Sequence, residues 1–87
     1  MKFVFTKHAL KDKLPELERL GWKITITKVE KTVRKPRWRG LSRHGQETAM
    51  DLVDDNHILR VIFDREDGII KVITFHIARR GKYESTL

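Results

Sequence analysis

The spacing of apolar residues changes at Pro36, from the three- and four-residue steps of a helix to the two-residue alternation of a strand. Before Pro36, one apolar stripe is formed by Ala9, Leu10, Leu14, Leu17 and Leu20. After it, alternating segments are separated by short polar turns, which is typical of antiparallel strands. We therefore expect an α+β domain in which two N-terminal helices pack on one face of an antiparallel β-meander.

Helix signals lie at both ends of the first apolar stripe. Thr6 is a suitable N-cap, and Gly21 is a suitable residue for ending a helix. Pro15 lies inside the stripe and lacks a backbone N–H, so it should kink or split this helix near residues 12–14.

The segment that follows Gly21 is ambiguous. Alternation of Trp22, Ile24 and Ile26 favours a strand, whereas Thr27-x-x-Glu30 is the pattern of a capping box and favours a helix. We predict a second helix over residues 27–35 that is ended by Pro36, with its apolar face formed by Ile26, Val29 and Val33.

The strands are predicted from alternation and turn residues. Residues 3–5 suggest a short edge strand, and residues 37–45 a basic loop or frayed strand. The meander itself is assigned to residues 47–53, 57–63 and 69–79, with polar turns at 54–56 and 64–68.

Register determines which side chains share a face of the sheet. We expect the core side to carry Leu59, Val61, Phe63, Ile73, Phe75 and Ile77. A two-residue loop at residues 55–56 would add Met50 and Leu52 to the core and place Asp51 opposite Arg60, whereas a three-residue loop would invert that first strand. With the two-residue loop, the other face would carry Asp51, Val53, Ile58, Arg60, Ile62, Ile70, Val72, Thr74 and His76. That face is apolar enough to predict a partner surface, covered by a protein helix or by a second copy of the chain.

Composition narrows the class of protein. The 87 residues suit one domain, residues 1–87, and 39% of them are hydrophobic, which is sufficient for a packed core. The absence of cysteine excludes a disulfide framework, a thiol nucleophile and a cysteine-ligated zinc site, and it favours a cytoplasmic location. No apolar run approaches the ~20 residues of a membrane helix, and the start of the chain does not resemble a signal peptide.

Positive charge is concentrated in residues 31–46, which we call the basic segment. It contains six cations and no acid, in a chain with 19 Lys and Arg against 12 Asp and Glu and a formal charge of +7. Such a field attracts polyanions, most often nucleic acid, although a purely solubilising surface has the same composition. The candidate RNA contacts are Lys35, Arg37, Trp38, Arg39, Arg43 and Lys82. Trp38 either stacks on an unpaired base or closes the core beneath the segment.

The end of the last strand places acid–base and phosphate-binding groups close together. His76 is a potential general acid or base, and Arg60, Arg79 and Arg80 are potential phosphate ligands. RNA cleavage by attack of its own 2′-hydroxyl needs these groups and no metal or other cofactor. The alternative is a basic binding tail without chemistry. His8 is either a second proton-transfer group or a residue that caps and packs the first helix.

The other histidines and the acidic turn do not suggest a metal site. His44 and His57 have no metal-ligand spacing, and residues 64–68 match no calcium loop.

Several stretches together are similar to a group of small prokaryotic proteins related to BrnT and, more remotely, to RelE-type toxins. They are Phe-Thr-Lys-His-Ala-Leu at residues 5–10, the break at Pro36, and the strand sequences at residues 59–63 and 67–74. The similarity covers about residues 3–83, and its motifs are short.

This resemblance implies a RelE-like fold and the toxin of a toxin–antitoxin pair. Such a toxin would be a metal-independent RNA endonuclease, often acting on ribosome-bound message, with a cognate acidic antitoxin as partner. Residues 73–80 are similar to the end of the last BrnT strand, and Tyr83 matches a tyrosine found near the end of many such toxins. Two alternatives stay open: an RNA-binding module that does not cut, and an interaction protein that forms a homodimer.

Overall fold

The structure, a computed structural model, describes residues 1–81. One five-stranded sheet carries a helical layer on one face, so the predicted α+β class is confirmed. The elements in chain order are β1 (Lys2–Phe5), a π-helical segment (His8–Lys13), α1 (Leu14–Arg19), α2 (Ile26–Arg34), β2 (Trp38–Leu41), β3 (Glu47–Leu52), β4 (His57–Glu66) and β5 (Ile69–Arg79).

The strands lie in the order β1-β5-β4-β3-β2. The predicted antiparallel meander is confirmed and contains four strands, β2 to β5. The basic segment supplies its first strand, β2. The predicted N-terminal strand β1 lies at the opposite edge and runs parallel to β5, with Lys2 opposite Ile69, so the sheet is mixed.

The first helix is split in two, as Pro15 predicts. In the π-helical segment the N–H of Leu14 donates to the carbonyl of Ala9, and the α-helix begins only at Leu14. Thr6 caps the N-terminus, because its hydroxyl accepts from the N–H of Ala9 at 3.1 Å. Gly21 has φ 92° and ends α1 with the Schellman pair of hydrogen bonds, from Gly21 to Glu18 and from Trp22 to Leu17.

The prediction of a second helix is confirmed, but its predicted N-cap is wrong. The hydroxyl of Thr25, and not that of Thr27, accepts from the N–H of Lys28 at 3.0 Å. The apolar face of α2 is accordingly displaced. Its buried residues are Val29, Thr32 and Val33, whereas Ile26 is 42% exposed.

The helical layer and one face of the sheet enclose the core. Its buried members are Ala9, Leu17, Val29, Val33, Ala49, Leu59, Val61, Phe63, Ile70, Val72 and Phe75. The predicted core positions on β4 are confirmed, as are Phe75 and Ile77 on β5, although Ile77 is only partly buried. Ile73 was predicted in the core and is the extra residue of a β-bulge, because Ile62 pairs with Thr74 while Phe63 pairs with Val72.

The β3–β4 loop inverts the predicted faces of β3. The N–H of Val53 donates to the carbonyl of His57 at 3.0 Å, so the loop contains three residues, 54–56, and not two. Met50 consequently lies opposite Arg60, and Asp51 lies on the helix side opposite Leu59. The predicted Asp51–Arg60 pair is therefore wrong. Asp51 instead forms ion pairs with Lys28 at 3.3 Å and Arg37 at 3.7 Å.

The sheet face opposite the helices, here called the open face, is made partly of other residues than predicted, and four of its members, Thr48, Met50, Ile58 and Arg60, are buried. By register it carries Trp38, Thr48, Met50, Leu52, Ile58, Arg60, Ile62, Thr74, His76 and Ala78. Val53 packs against the core and the bulge turns Ile70 and Val72 into it, while Ile58 is fully buried. The exposed apolar surface expected from Val53, Ile58, Ile62, Ile70 and Val72 is therefore not formed.

Candidate functional site

One transverse row of the open face brings together three of the predicted site residues. Trp38 on β2 lies opposite Met50 on β3, Met50 opposite Arg60 on β4, and Arg60 opposite His76 on β5. Directly opposed side chains in antiparallel strands have Cβ atoms about 4.5–5.5 Å apart. An imidazole and a guanidinium are therefore neighbours at the β5 end of the row, with an indole at its β2 end.

Two arginines lie over the Trp38 ring. The guanidinium carbons of Arg37 and Arg80 are 5.8 Å and 6.0 Å from the ring centroid. Arg80 follows β5, and its backbone N–H donates to the carbonyl of Asn56 at 2.8 Å. The cation at the end of the last strand thus belongs to the same surface as the tryptophan of the first strand of the meander, within the range of cation–π attraction.

Arg60 is the most buried charged side chain of the open face among residues 1–81, with 9% exposure, whereas His76 is half-buried. A guanidinium keeps its charge when buried, so Arg60 contributes a fixed positive charge beside the imidazole. His76 is the only imidazole in this row. The row therefore offers one group that can move a proton and a cation that can support a phosphate.

A groove continues from Arg60 to the β2–β3 hairpin. Its volume is ≈ 690 Å³, and it is lined by Leu41, Ser42, Arg43, His44, Gln46, Arg60 and Ile62. Arg43 and His44 are exposed at the hairpin. A groove of this size, with a cation at each end, suits one or two units of an anionic chain.

Other predicted residues are not gathered on the open face. His8 is exposed in the helical layer, where its Nδ1 is 3.2 Å from a carboxylate oxygen of Asp12. Arg79 lies opposite His57 on the helix side, and Arg39 lies opposite core-facing Ala49. Lys35 is exposed at the C-cap of α2. Lys82 and Tyr83 lie outside the described residues.

Sequence reasoning missed a second polar cluster, around His57. Its Nδ1 lies 3.0 and 3.1 Å from the two carboxylate oxygens of Asp54, and the ring meets that of Trp22 edge-on at 4.9 Å. The backbone N–H of Asn56, followed by the His57 side chain, holds the pKa of Asp54 below its usual value. The signal in the sequence is Asp54-x-x-His57, at a position where turn chemistry alone predicts a loop.

The fold and the open face together define a small basic α+β domain with a cationic, tryptophan-bearing sheet face. Comparison of the chain with protein-family models, curated proteins and solved structures returns no match. Within residues 1–81 no helix is long and apolar enough to cross a membrane, and no cluster of three or more His, Asp or Glu side chains suits a metal ion.

Proposed function

We propose that the open face binds single-stranded RNA and cleaves it without a metal ion. The observation that supports this proposal is the row Trp38–Met50–Arg60–His76, with Arg37 and Arg80 over the indole. Aromatic rings flanked by cations are the usual platform for an unpaired base and its phosphates. The basic segment supplies the β2 side of this surface and attracts the polyanion.

In the proposed reaction, His76 takes the proton of a ribose 2′-hydroxyl whose adjacent phosphate lies against Arg60 and Arg80. The 2′-oxygen attacks phosphorus and the bond from phosphorus to the 5′-oxygen breaks. The departing oxygen takes a proton from water, which leaves a 2′,3′-cyclic phosphate and a 5′-hydroxyl end. Fixed cations stabilise the charge that develops on the phosphate, and general base catalysis supplies the remainder of the acceleration.

The resemblance to BrnT and RelE-type toxins extends the proposal to a biological role. Expression of the chain would arrest growth by cutting message, and a small acidic partner protein would relieve the arrest. This role is tested by expressing the chain with and without such a partner, while growth and the integrity of messenger RNA are measured together.

The binding step is tested with Trp38→Ala in fluorescence titrations of a labelled single-stranded RNA. Loss of stacking should weaken binding by about 1–3 kcal/mol, or roughly five- to 150-fold. Ile26→Ala is the control, because Ile26 is an exposed apolar side chain of α2 that lies away from the open face, and its loss should leave RNA affinity unchanged. Equal effects of the two substitutions would contradict binding on the open face.

The cleavage step is tested by incubating RNA with the purified protein, with and without ribosomes and EDTA. We expect cyclic phosphate ends and no effect of EDTA, because every proposed participant is a side chain. If the RNA stays intact in all conditions, the cleavage step is contradicted and only RNA binding remains of the proposal.

A non-catalytic RNA-binding module is the second candidate. It is favoured by the burial of Arg60, whose 9% exposure resembles that of a structural cation, and by the contact of exposed His8 with Asp12. On this candidate, Trp38→Ala weakens binding as above and no RNA is cut.

A further inference from the structure

A second pocket lies where α1 meets the ends of β4 and β5, on the helix side of the sheet. Its volume is ≈ 360 Å³, and its walls include Lys13, Glu16, Leu20, Trp22, His57 and Arg79. The lining also includes His76 and Ala78, so the pocket combines two histidines, the cations Lys13 and Arg79, and an apolar wall. Of the side chains used by the proposed RNA surface, it contains only His76.

His57 is held in one orientation by its neighbours. Asp54 contacts Nδ1 through both carboxylate oxygens, and Trp22 packs edge-on against the ring. The lowered pKa of Asp54 keeps that carboxylate ionised near neutral pH, where it can only accept a hydrogen bond. Nδ1 therefore carries a proton, and Nε2 is the nitrogen left for a ligand.

Arg79 carries the uncompensated charge of this pocket. It lies directly opposite His57 and is exposed, and its side chain forms no ion pair or hydrogen bond with any residue from 1 to 81. Lys13 and His57 are already engaged, Lys13 with Glu16 at 2.9 Å and His57 with Asp54. An anion is therefore the ligand whose charge would balance that of Arg79.

We propose that this pocket binds a phosphate monoester. The guanidinium of Arg79 would hold two phosphate oxygens, and protonated Nε2 of His57 would donate to the third. The apolar wall at Leu20 and Trp22 would contact the organic part of the ligand. By register, His57 and Arg79 lie on the side of the sheet opposite the proposed RNA row, and the proposed phosphate contacts use neither His76 nor any other residue of that row, so they do not depend on that proposal.

The test is a titration of the whole chain, followed by ¹H–¹⁵N NMR, with inorganic phosphate, a nucleoside 5′-monophosphate, acetate, and an RNA oligonucleotide with or without a 3′-phosphate. We expect saturable shifts of the Trp22 indole and the His57 amide with the phosphates and not with acetate. Tighter binding of the nucleotide than of inorganic phosphate would identify a small-molecule site, and tighter binding of the 3′-phosphorylated RNA a strand-end site.

Arg79→Gln should raise the Kd for phosphate about tenfold or more. The matched control is Arg19→Gln, an equal change of charge on an exposed α1 residue that is not among the pocket's walls, and it should leave the Kd unchanged. Equal weakening in both variants would overturn the proposal, since it would show general electrostatic attraction. Unsaturable shifts, or equal binding of acetate, would overturn it as well.

A pH series separates a ligand contact of His57 from a structural role. Sulfate is used as the probe because its charge is constant near neutrality, and its affinity should fall as pH rises and Nε2 loses its proton. The charged groups around this ring are Asp54, Glu16, Lys13 and Arg79. His57→Asn should bind sulfate more weakly and with little dependence on pH. An unchanged pH profile in that variant would contradict the contact.

Discussion

At the scale of single residues, the proposed chemistry depends on His76 and Arg60 being cross-strand partners. Neither residue is special by its neighbours in sequence, and only the pairing of β4 with β5 brings them together. His8, which precedes Ala9 in the opening motif, is instead tied to Asp12 in the helical layer. The two histidines therefore allow a matched comparison.

We expect His76→Ala to lower the rate of RNA cleavage by about 10²–10⁴-fold, the usual loss when a general acid or base is removed. RNA affinity should change little, because the cations and Trp38 remain. The rate is measured under single-turnover conditions and the affinity by filter binding. His8→Ala should alter neither quantity, and a variant at His76 that cuts as fast as the parent would remove this residue from the mechanism.

A second prediction at this scale concerns Asp54 and acid stability. Its pKa is lowered in the folded chain by the N–H of Asn56 and by His57. A carboxyl whose pKa is lower in the folded chain than in the unfolded chain stabilises the fold. This stabilisation is complete above the carboxyl's ordinary pKa and is lost as pH falls through its pKa in the folded chain. Asp54→Ala should therefore be less stable than the parent at pH 7, and the difference should shrink below about pH 4.

Urea denaturation at neutral and acid pH measures this difference. Asp55→Ala is the control, since Asp55 is exposed in the same loop and forms no hydrogen bond or ion pair with residues 1–81. A deficit of the Asp54 variant that is constant across the pH range would show that the carboxylate charge is not involved.

At the scale of elements, the N-cap of α2 can be tested by replacing each of two threonines with alanine. Thr25→Ala should destabilise the domain by about 1 kcal/mol, because its hydroxyl accepts from the N–H of Lys28 at the start of α2. Thr27→Ala should change stability by only a few tenths of a kcal/mol, since Thr27 is exposed inside the first turn. Thermal or urea denaturation gives both values. A larger loss of stability in the Thr27 variant than in the Thr25 variant would show that Thr27 is the N-cap, as the capping box predicts.

The elements themselves were largely predictable, and the errors have local physical causes. Pro15, Gly21 and Pro36 bound the helices through backbone rules that act without tertiary context. The faces of β3 depended on one loop residue, because a strand's side chains alternate and a loop of three residues instead of two inverts them. The bulge at Ile73 leaves no signal in a run of apolar residues, so Ile70 and Val72 were assigned to the wrong face.

The sequence predicts the type of surface at the candidate site but not all of the residues that form it. Charge and the isolated Trp38 predict a nucleic-acid surface, and the structure brings His76 and Arg80 to the same sheet face as Trp38. The association of Arg80 with Trp38 was not predictable, because it joins the end of β5 to β2 across two intervening strands. The Asp54–His57–Trp22 cluster likewise joins a loop, a strand and the end of α1.

At the scale of the whole molecule, the cations are not spread evenly along the chain, since six lie in the basic segment without an acid. Replacing Arg37, Arg39 and Arg43 with Gln should weaken RNA binding and reduce the slope of log K against log salt by about 1.4, at ~0.7 per phosphate contact on a single strand. Arg39 does not contribute to this value, because it lies opposite core-facing Ala49 and only the other two adjoin the open face. The domain should keep its circular dichroism, because all three side chains are exposed. Binding is measured by filter retention over a range of salt concentrations.

The control for that triple variant removes equal charge elsewhere, through Lys2→Gln, Lys11→Gln and Arg19→Gln. These exposed residues lie in β1, the π-helical segment and α1, away from the basic segment. If both triple variants reduce the salt slope equally, RNA responds to net charge and the basic segment has no special role.

The parallel pairing of β1 with β5 affects the order in which the chain can fold. Lys2 pairs with Ile69, and the hydroxyl of Thr6 donates to the carbonyl of Ile73 across 67 positions of sequence. During synthesis on a ribosome, Phe3 and Phe5 therefore cannot pack against their core neighbours Ile70 and Val72 until β5 has emerged. Closure over so long a loop is slow, so the core is completed late in synthesis. A nascent chain that ends before β5 lacks both this core and His76, so any activity that needs the open face begins only after nearly the whole described domain has been synthesised.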